Sequence, residues 1–142
     1  MTAIEGGVEH ALDCWQRGFN CAESVMRGAC RAERIDLSPQ TLKVATPFGG
    51  GVGRSEDICG ALTGGVLAIG VVLGRTEPTE DKLKSYDAAK ELHDWFEKRF
   101  GSTLCMVLNR GDFKSPEHKK RCTRFVEEAA REACLIMERR KS

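Results

Sequence analysis

Apolar residues recur along this chain at helical spacing, separated by short polar interruptions. Val8, Ala11, Leu12 and Trp15 fall on one face of a segment from about Ile4 to Arg17. Gly18 then supplies a left-handed stop, followed by apolar Phe19. Asn20 with Glu23 three residues later reads as a capping box, opening a second helix to about Arg34 with Cys21 at its first position. Ser38 followed by Pro39 predicts a short third helix. Beyond a glycine-rich loop, Ser55 as N-cap, with Glu56 and Asp57 in the first turn, predicts an apolar helix to about Leu73, stopped by Gly74. An amphipathic helix follows from Thr76 to Gly101. Ser102 is expected to cap a short segment with Cys105 in its first turn. Ser115 and Pro116 open a last helix that runs nearly to the end. Period-two alternation is not sustained anywhere. The expected fold is all-α: residues 1–142 as a single-domain bundle of about six helices, with a Gly-rich loop before the central helix.

That loop, Gly49, Gly50, Gly51 and Gly53, raises the question of what its backbone approaches. A P-loop aligned on Gly53, Arg54 and Ser55 fails, because Phe48 stands where the first glycine belongs and Arg54 where the lysine belongs. A dinucleotide fingerprint would need glycine at Arg54 and a preceding strand. In the helix after the loop, Gly60 and Gly64 lie four apart on one face, so close packing against another helix is the plain expectation. The loop amides could in addition point at an anion.

Composition narrows the function classes. The chain has 142 residues and a net charge of +1, with both signs interspersed. No one-sided basic surface for nucleic acid is built. The longest apolar run, Ala61 to Leu73, carries glycines and is too short for a membrane span. The first residues lack a basic segment followed by an apolar core, so no signal peptide is read and a cytoplasmic location is expected. In that setting the seven cysteines are not a disulfide framework. They are core filler, metal ligands or redox-active thiols.

Cys21, Cys59 and Cys105 each fall at or near the start of a predicted helix, where free N–H groups and the helix dipole favour thiolate. Cys122 lies among Lys119, Lys120, Arg121 and Arg124, which would act the same way. Cys14, Cys30 and Cys134 sit in apolar or Ala-rich helical contexts and read as buried filler. No C-x-x-C pair exists. His10 and His118 lie in polar helical contexts and His93 in the amphipathic "KELHDWF", and all three read as solvated or capping residues rather than ligands.

The order "GFNCAESV", "FGGGVGRSEDICGALTGG", "FGSTLC" and a lone Cys122 before "FVEEAA" resembles the C-GCAxxG-C-C family of redox-active proteins, from about Gly18 to Ala130. On that pattern Cys21, Cys59, Cys105 and Cys122 are the family cysteines. A related domain occurs in split-Soret cytochromes, where the cysteine region is associated with an iron–sulfur centre. The resemblance implies a cluster ligated by these four cysteines, with the backbone of Gly49, Gly50, Gly51, Gly53 and Gly60 closing over the sulfurs. [2Fe–2S] is preferred to [4Fe–4S] on the cytochrome analogy. The function implied is electron storage or transfer to a redox protein partner, and the small-residue helix together with the family analogy allows a homodimer. Two alternatives use the same cysteines: a cofactor-free thiol/disulfide protein, and a structural zinc module with four thiolate ligands. Enzymatic chemistry is not legible, since no acid–base pair stands out.

Overall fold

The computed structural model describes residues 1–141 and is all-α. Seven helices are present among them: α1 (Ala3–Gln16), α2 (Cys21–Ala32), α3 (Pro39–Lys43), α4 (Gly60–Leu73), α5 (Leu83–Phe100), α6 (Cys105–Asn109) and α7 (Pro116–Arg140). A single 3₁₀ turn (Thr46–Phe48) leads into the glycine turn Gly49–Val52. The only strand-like feature among the described residues is one antiparallel bridge between Ile58 and Leu104.

Local chemistry sets most helix ends. Gly18 has φ +105°. The Phe19 amide donates to Cys14 O at 3.1 Å and the Gly18 amide to Trp15 O at 3.2 Å, the paired bonds of a Schellman stop. At the start of α2 both halves of the capping box form: Glu23 N donates to Asn20 Oδ1 and Asn20 N donates to Glu23 Oε1, each at 2.9 Å. Ser38 and Ser115 cap α3 and α7 as expected, each followed by proline.

Three helix starts differ from the sequence reading. Helix α4 begins at Gly60 with Cys59 as N-cap, not at Ser55. Residues 56–59 are held instead by residues 103–106: Cys59 N donates to Thr103 O at 2.8 Å, Cys105 N to Asp57 O at 2.6 Å and Met106 N to Glu56 O at 3.1 Å. These tertiary bonds take the amides and carbonyls that an earlier helical turn would need. The same pairing makes Leu104 the N-cap of α6, while Ser102 Oγ only accepts from Leu104 N at 3.0 Å. Helix α5 starts at Leu83 rather than Thr76. Pro78 interrupts the segment before it, where Glu80 Oε1 accepts from the amides of Thr76 and Glu77, each at 2.9 Å.

Helices α2, α4 and α7 pack on one another, with α1 against α2 and α7, and α5 against α4 and α7. The core runs through Val25, Met26, Leu62, Ile69, Leu92, Phe96, Val126 and Met137, all buried. The small residues of α4 have the role expected of them. A Cβ on Gly64 would stand 2.5 Å from Ala22 O and 3.0 Å from Ala22 Cα, so the backbones of α4 and α2 meet there. Edge-on rings of Trp95, Phe96, Phe100 and Phe125 fill the α5–α7 side. No helix among the described residues is long and apolar enough to cross a membrane.

Candidate functional site

The starts of α2, α4 and α6 and the second turn of α7 meet at one end of the bundle. Cys21 is the first residue of α2, Cys59 caps α4, Cys105 opens α6, and Cys122 lies one turn after His118 in α7. All four line a single cavity of about 180 Å³, with Gly50, Gly51 and Gly60 in the same wall. Trp15, Asn20, Asn109, Phe113 and His118 complete it. The three remaining cysteines are elsewhere: Cys14, Cys30 and Cys134 are buried among core side chains, as filler would be.

Two tethers gather these elements. The backbone pairing of residues 56–59 with 103–106 holds Cys59 beside Cys105. Asn20 and Glu23 extend the capping box outward: Asn20 Nδ2 donates to Thr46 O at 3.1 Å and Thr46 Oγ1 to Glu23 Oε2 at 2.8 Å. The start of α2 is thereby fixed to the turn that precedes the glycines.

The glycine segment is an unusual backbone. Gly50 (φ +64°), Gly51 (φ +68°), Val52 (φ +67°), Gly53 (φ +57°) and Arg54 (φ +66°) are consecutively left-handed. For β-branched Val52 this is a strained conformation. A Cβ on Gly51 would meet Asp57 N at 2.6 Å, so only glycine lets this turn lie against residues 56–57. Of the five glycines expected at the site, Gly50, Gly51 and Gly60 line the cavity. Gly49 and Gly53 do not: Gly49 packs against the Asn20 amide, and Gly53 N donates to Pro47 O at 2.8 Å.

Helix starts were expected to favour thiolate at Cys21, Cys59 and Cys105. Burial outweighs them. It pushes the Cys59 thiol up to about 12, although the amides of Ala61 and Leu62 at the start of α4 act against it. Burial also raises Cys105, against the amide of Asn109. The Cys21 thiol is raised well above its ordinary value by its hydrogen bond to Cys122 and by enclosure. Cys122 alone is lowered, first by that bond from Cys21 and then by the charge of Arg121. Among the cations around Cys122, it is Arg121 whose charge favours the thiolate.

Sequence reasoning missed the polar support of the site. Asn109 is buried, with Nδ2 donating to Cys105 O at 3.0 Å and standing 3.6 Å from Cys105 Sγ. Its Oδ1 accepts from Arg121 Nε at 3.2 Å and from His118 Nδ1 at 3.0 Å. His118 is no solvated surface residue: its ring lies 3.8 Å from Cys122 Sγ and edge-on to Phe113. Arg121 further donates to Asp112 O and Asp112 Oδ2, each at 3.1 Å, pinning the α6–α7 connection. Helical spacing carried a signal for two of these, since Asn109 follows Cys105 by four residues and His118 precedes Cys122 by four.

Among the described residues, no three His, Cys, Asp or Glu side chains converge closely enough to hold one metal ion. Four cysteine sulfurs on one small cavity are a donor set of the kind that thiolate-ligated metal centres use.

A protein-family model described as "Putative redox-active protein (C_GCAxxG_C_C)" matches residues 19–136. An uncharacterized protein of Archaeoglobus fulgidus is 29% identical over 138 residues, covering 91% of each chain. No solved structure matches the chain. The family match runs through all four cysteines of the cavity, and the chain belongs to the C_GCAxxG_C_C family of redox-active proteins.

Proposed function

We propose that Cys21, Cys59, Cys105 and Cys122 ligate an iron–sulfur cluster and that the protein stores or transfers electrons through it. The observation that carries this reading is the convergence of four cysteines, from four different elements, on one cavity of about 180 Å³. Such a cluster supplies one-electron chemistry, with a potential set by burial and by N–H groups near the sulfurs. This chain offers both: apolar walls from Trp15 and Phe113, and the Asn109 amide beside Cys105. The split-Soret analogy favours [2Fe–2S] over [4Fe–4S]. The partner would be another redox protein.

The test is purification without oxygen, followed by iron and acid-labile sulfide per chain and the visible spectrum before and after dithionite. Stoichiometric iron and sulfide with a bleachable band are expected, and each of the four Cys→Ser variants should lose them. Colourless protein that cannot be reconstituted would overturn the reading.

One observation favours a second reading. Cys21 and Cys122 line the same cavity and shift each other's proton affinity in opposite directions, Cys21 up and Cys122 down, as the two thiols of a dithiol pair do. As a thiol protein the pair would form one S–S bond, releasing two protons and passing two electrons to a disulfide substrate, itself reduced to two thiols. Disulfide mapping after mild oxidation separates the two. A Cys21–Cys122 bond in metal-free protein, unaffected by Cys59→Ser or Cys105→Ser, would favour the dithiol.

A further inference from the structure

A second, smaller cavity lies between α1, α2 and the segment leading to α3. Its volume is about 150 Å³ and it shares no lining residue with the cysteine cavity. His10, Arg27, Arg31 and Asp36 supply its polar wall, and Ile35 and Leu37 are part of its apolar one. We propose that it is a binding site for a small oxyanion: inorganic phosphate or the phosphate group of a phosphomonoester.

Three observations carry this assignment. The first is charge. Arg27 and Arg31 face one cavity from successive turns of α2, and neither has a carboxylate within ion-pairing distance among the described residues, Asp36 included. Arg17, which approaches from the end of α1, is already committed to Asp13 at 3.8 Å. Two free guanidiniums against one carboxylate leave the cavity short of negative charge.

The second is a fixed arginine. The Arg27 guanidinium lies 4.1 Å from the centroid of the Phe19 ring, a stacking contact that holds the planar fork in place. Its Nε is buried and has no hydrogen-bond partner. A buried guanidinium nitrogen with no partner within the chain is the exception that calls for an acceptor nearby. The outer nitrogens of the fork are the ones a ligand in the cavity would reach, and a planar fork matches phosphate oxygens two at a time.

The third is size. Pockets for drug-sized ligands run from about 300 Å³ upward, and this one is about half that. It takes a head group and not a nucleotide. His10 completes the wall: burial and the charges of Arg31, Arg27 and Arg17 hold its imidazole below the ordinary value, with Asp13 acting the other way. The ring is thus a neutral donor that an arriving anion would draw toward protonation.

The experiment is calorimetric titration of the full chain with inorganic phosphate and, separately, with phenyl phosphate, at ionic strength held constant with sodium chloride. Thermal melting is followed in parallel. Saturable binding is expected, and Arg31→Gln should weaken it at least about tenfold. Arg31 is exposed, so that variant should keep the fold; Arg27→Lys keeps the charge but loses the fork and should weaken binding as well. A much tighter phenyl phosphate would identify a phosphomonoester as the ligand, and equal affinities the free anion. Absence of saturation, or affinities unchanged in both variants, would overturn the site. The readout is independent of the cysteines, so it stands or falls apart from the cluster.

Discussion

Asn109 holds its side-chain nitrogen 3.6 Å from the sulfur of Cys105. The orientation is fixed by its neighbours rather than chosen. Arg121 Nε can only donate and Cys105 O can only accept, so Oδ1 must face the arginine and Nδ2 the cysteine. His118 must then carry its proton on Nδ1 to meet the same oxygen. A cation on α7 therefore aims an N–H at a sulfur on α6.

Replacing Asn109 by Ala is expected to destabilise the fold by about 1–3 kcal/mol, because Arg121 and the Cys105 carbonyl lose a buried partner. Urea unfolding measures this. If Cys105 ligates the proposed cluster, the same change should shift the midpoint potential negatively, since removing an N–H near a ligand sulfur disfavours the reduced, more negative state. A stability loss with an unmoved potential would make Asn109 a structural residue only.

Two glycines of one helix should respond oppositely to the same substitution. A Cβ on Gly64 meets the backbone of Ala22 on α2, whereas one on Gly70 meets nothing within 4 Å. Gly64→Ala is expected to cost about 1–3 kcal/mol by forcing two helices apart. Gly70→Ala, at an exposed helical position, should gain about 0.5–1 kcal/mol from reduced backbone freedom in the unfolded chain. Thermal melts of the two single variants decide whether close approach or mere helix content explains the small residues of α4.

Where the chain's own neighbours set the structure, the sequence was readable. The capping box of Asn20 and Glu23, the serine–proline starts of α3 and α7, and the stops at Gly18 and Gly101 all use groups within a turn of one another. The starts of α4 and α6 were misplaced because residues 56–59 spend their hydrogen bonds on residues 103–106, a pairing across more than forty positions with no local signature. The four cavity cysteines could be singled out by their closeness to helix starts and cations. Their protonation could not, since enclosure by one another and by apolar walls reverses the effect of the helix ends at Cys21, Cys59 and Cys105. Asn109 and His118 were overlooked because a polar residue at a helix end, or in a polar helical stretch, looks the same whether it faces water or a cavity.

The capping box is expected to matter beyond its own helix. Asn20→Ala should cost about 1 kcal/mol as a lost N-cap. Glu23→Ala should cost a comparable amount, because Glu23 also accepts from Thr46. The double variant should cost less than the sum, since each half of the box depends on the other. Strict additivity in urea unfolding would show that the box and the Thr46 tether act independently.

The buried filler cysteines make stability fall in alkali. Burial, and then the charge of Glu33, push Cys30 and Cys134 each up to about 12 in the folded chain. An unfolded thiol titrates near about 8.5. Below that value both states hold the proton and these thiols leave stability unchanged with pH. Between about 8.5 and 12 the unfolded state has released protons that the folded state retains, so stability drops with rising pH, by about 1.4 kcal/mol per unit per thiol. The measurement is urea unfolding at several pH values from about 8 to 10.5 for the natural chain and for Cys30→Ala/Cys134→Ala. The double variant starts less stable because it leaves small cavities, but its stability should fall with a shallower slope. Equal slopes would mean that these two thiols ionise as readily in the folded chain as in the unfolded one, and that the core around them admits water.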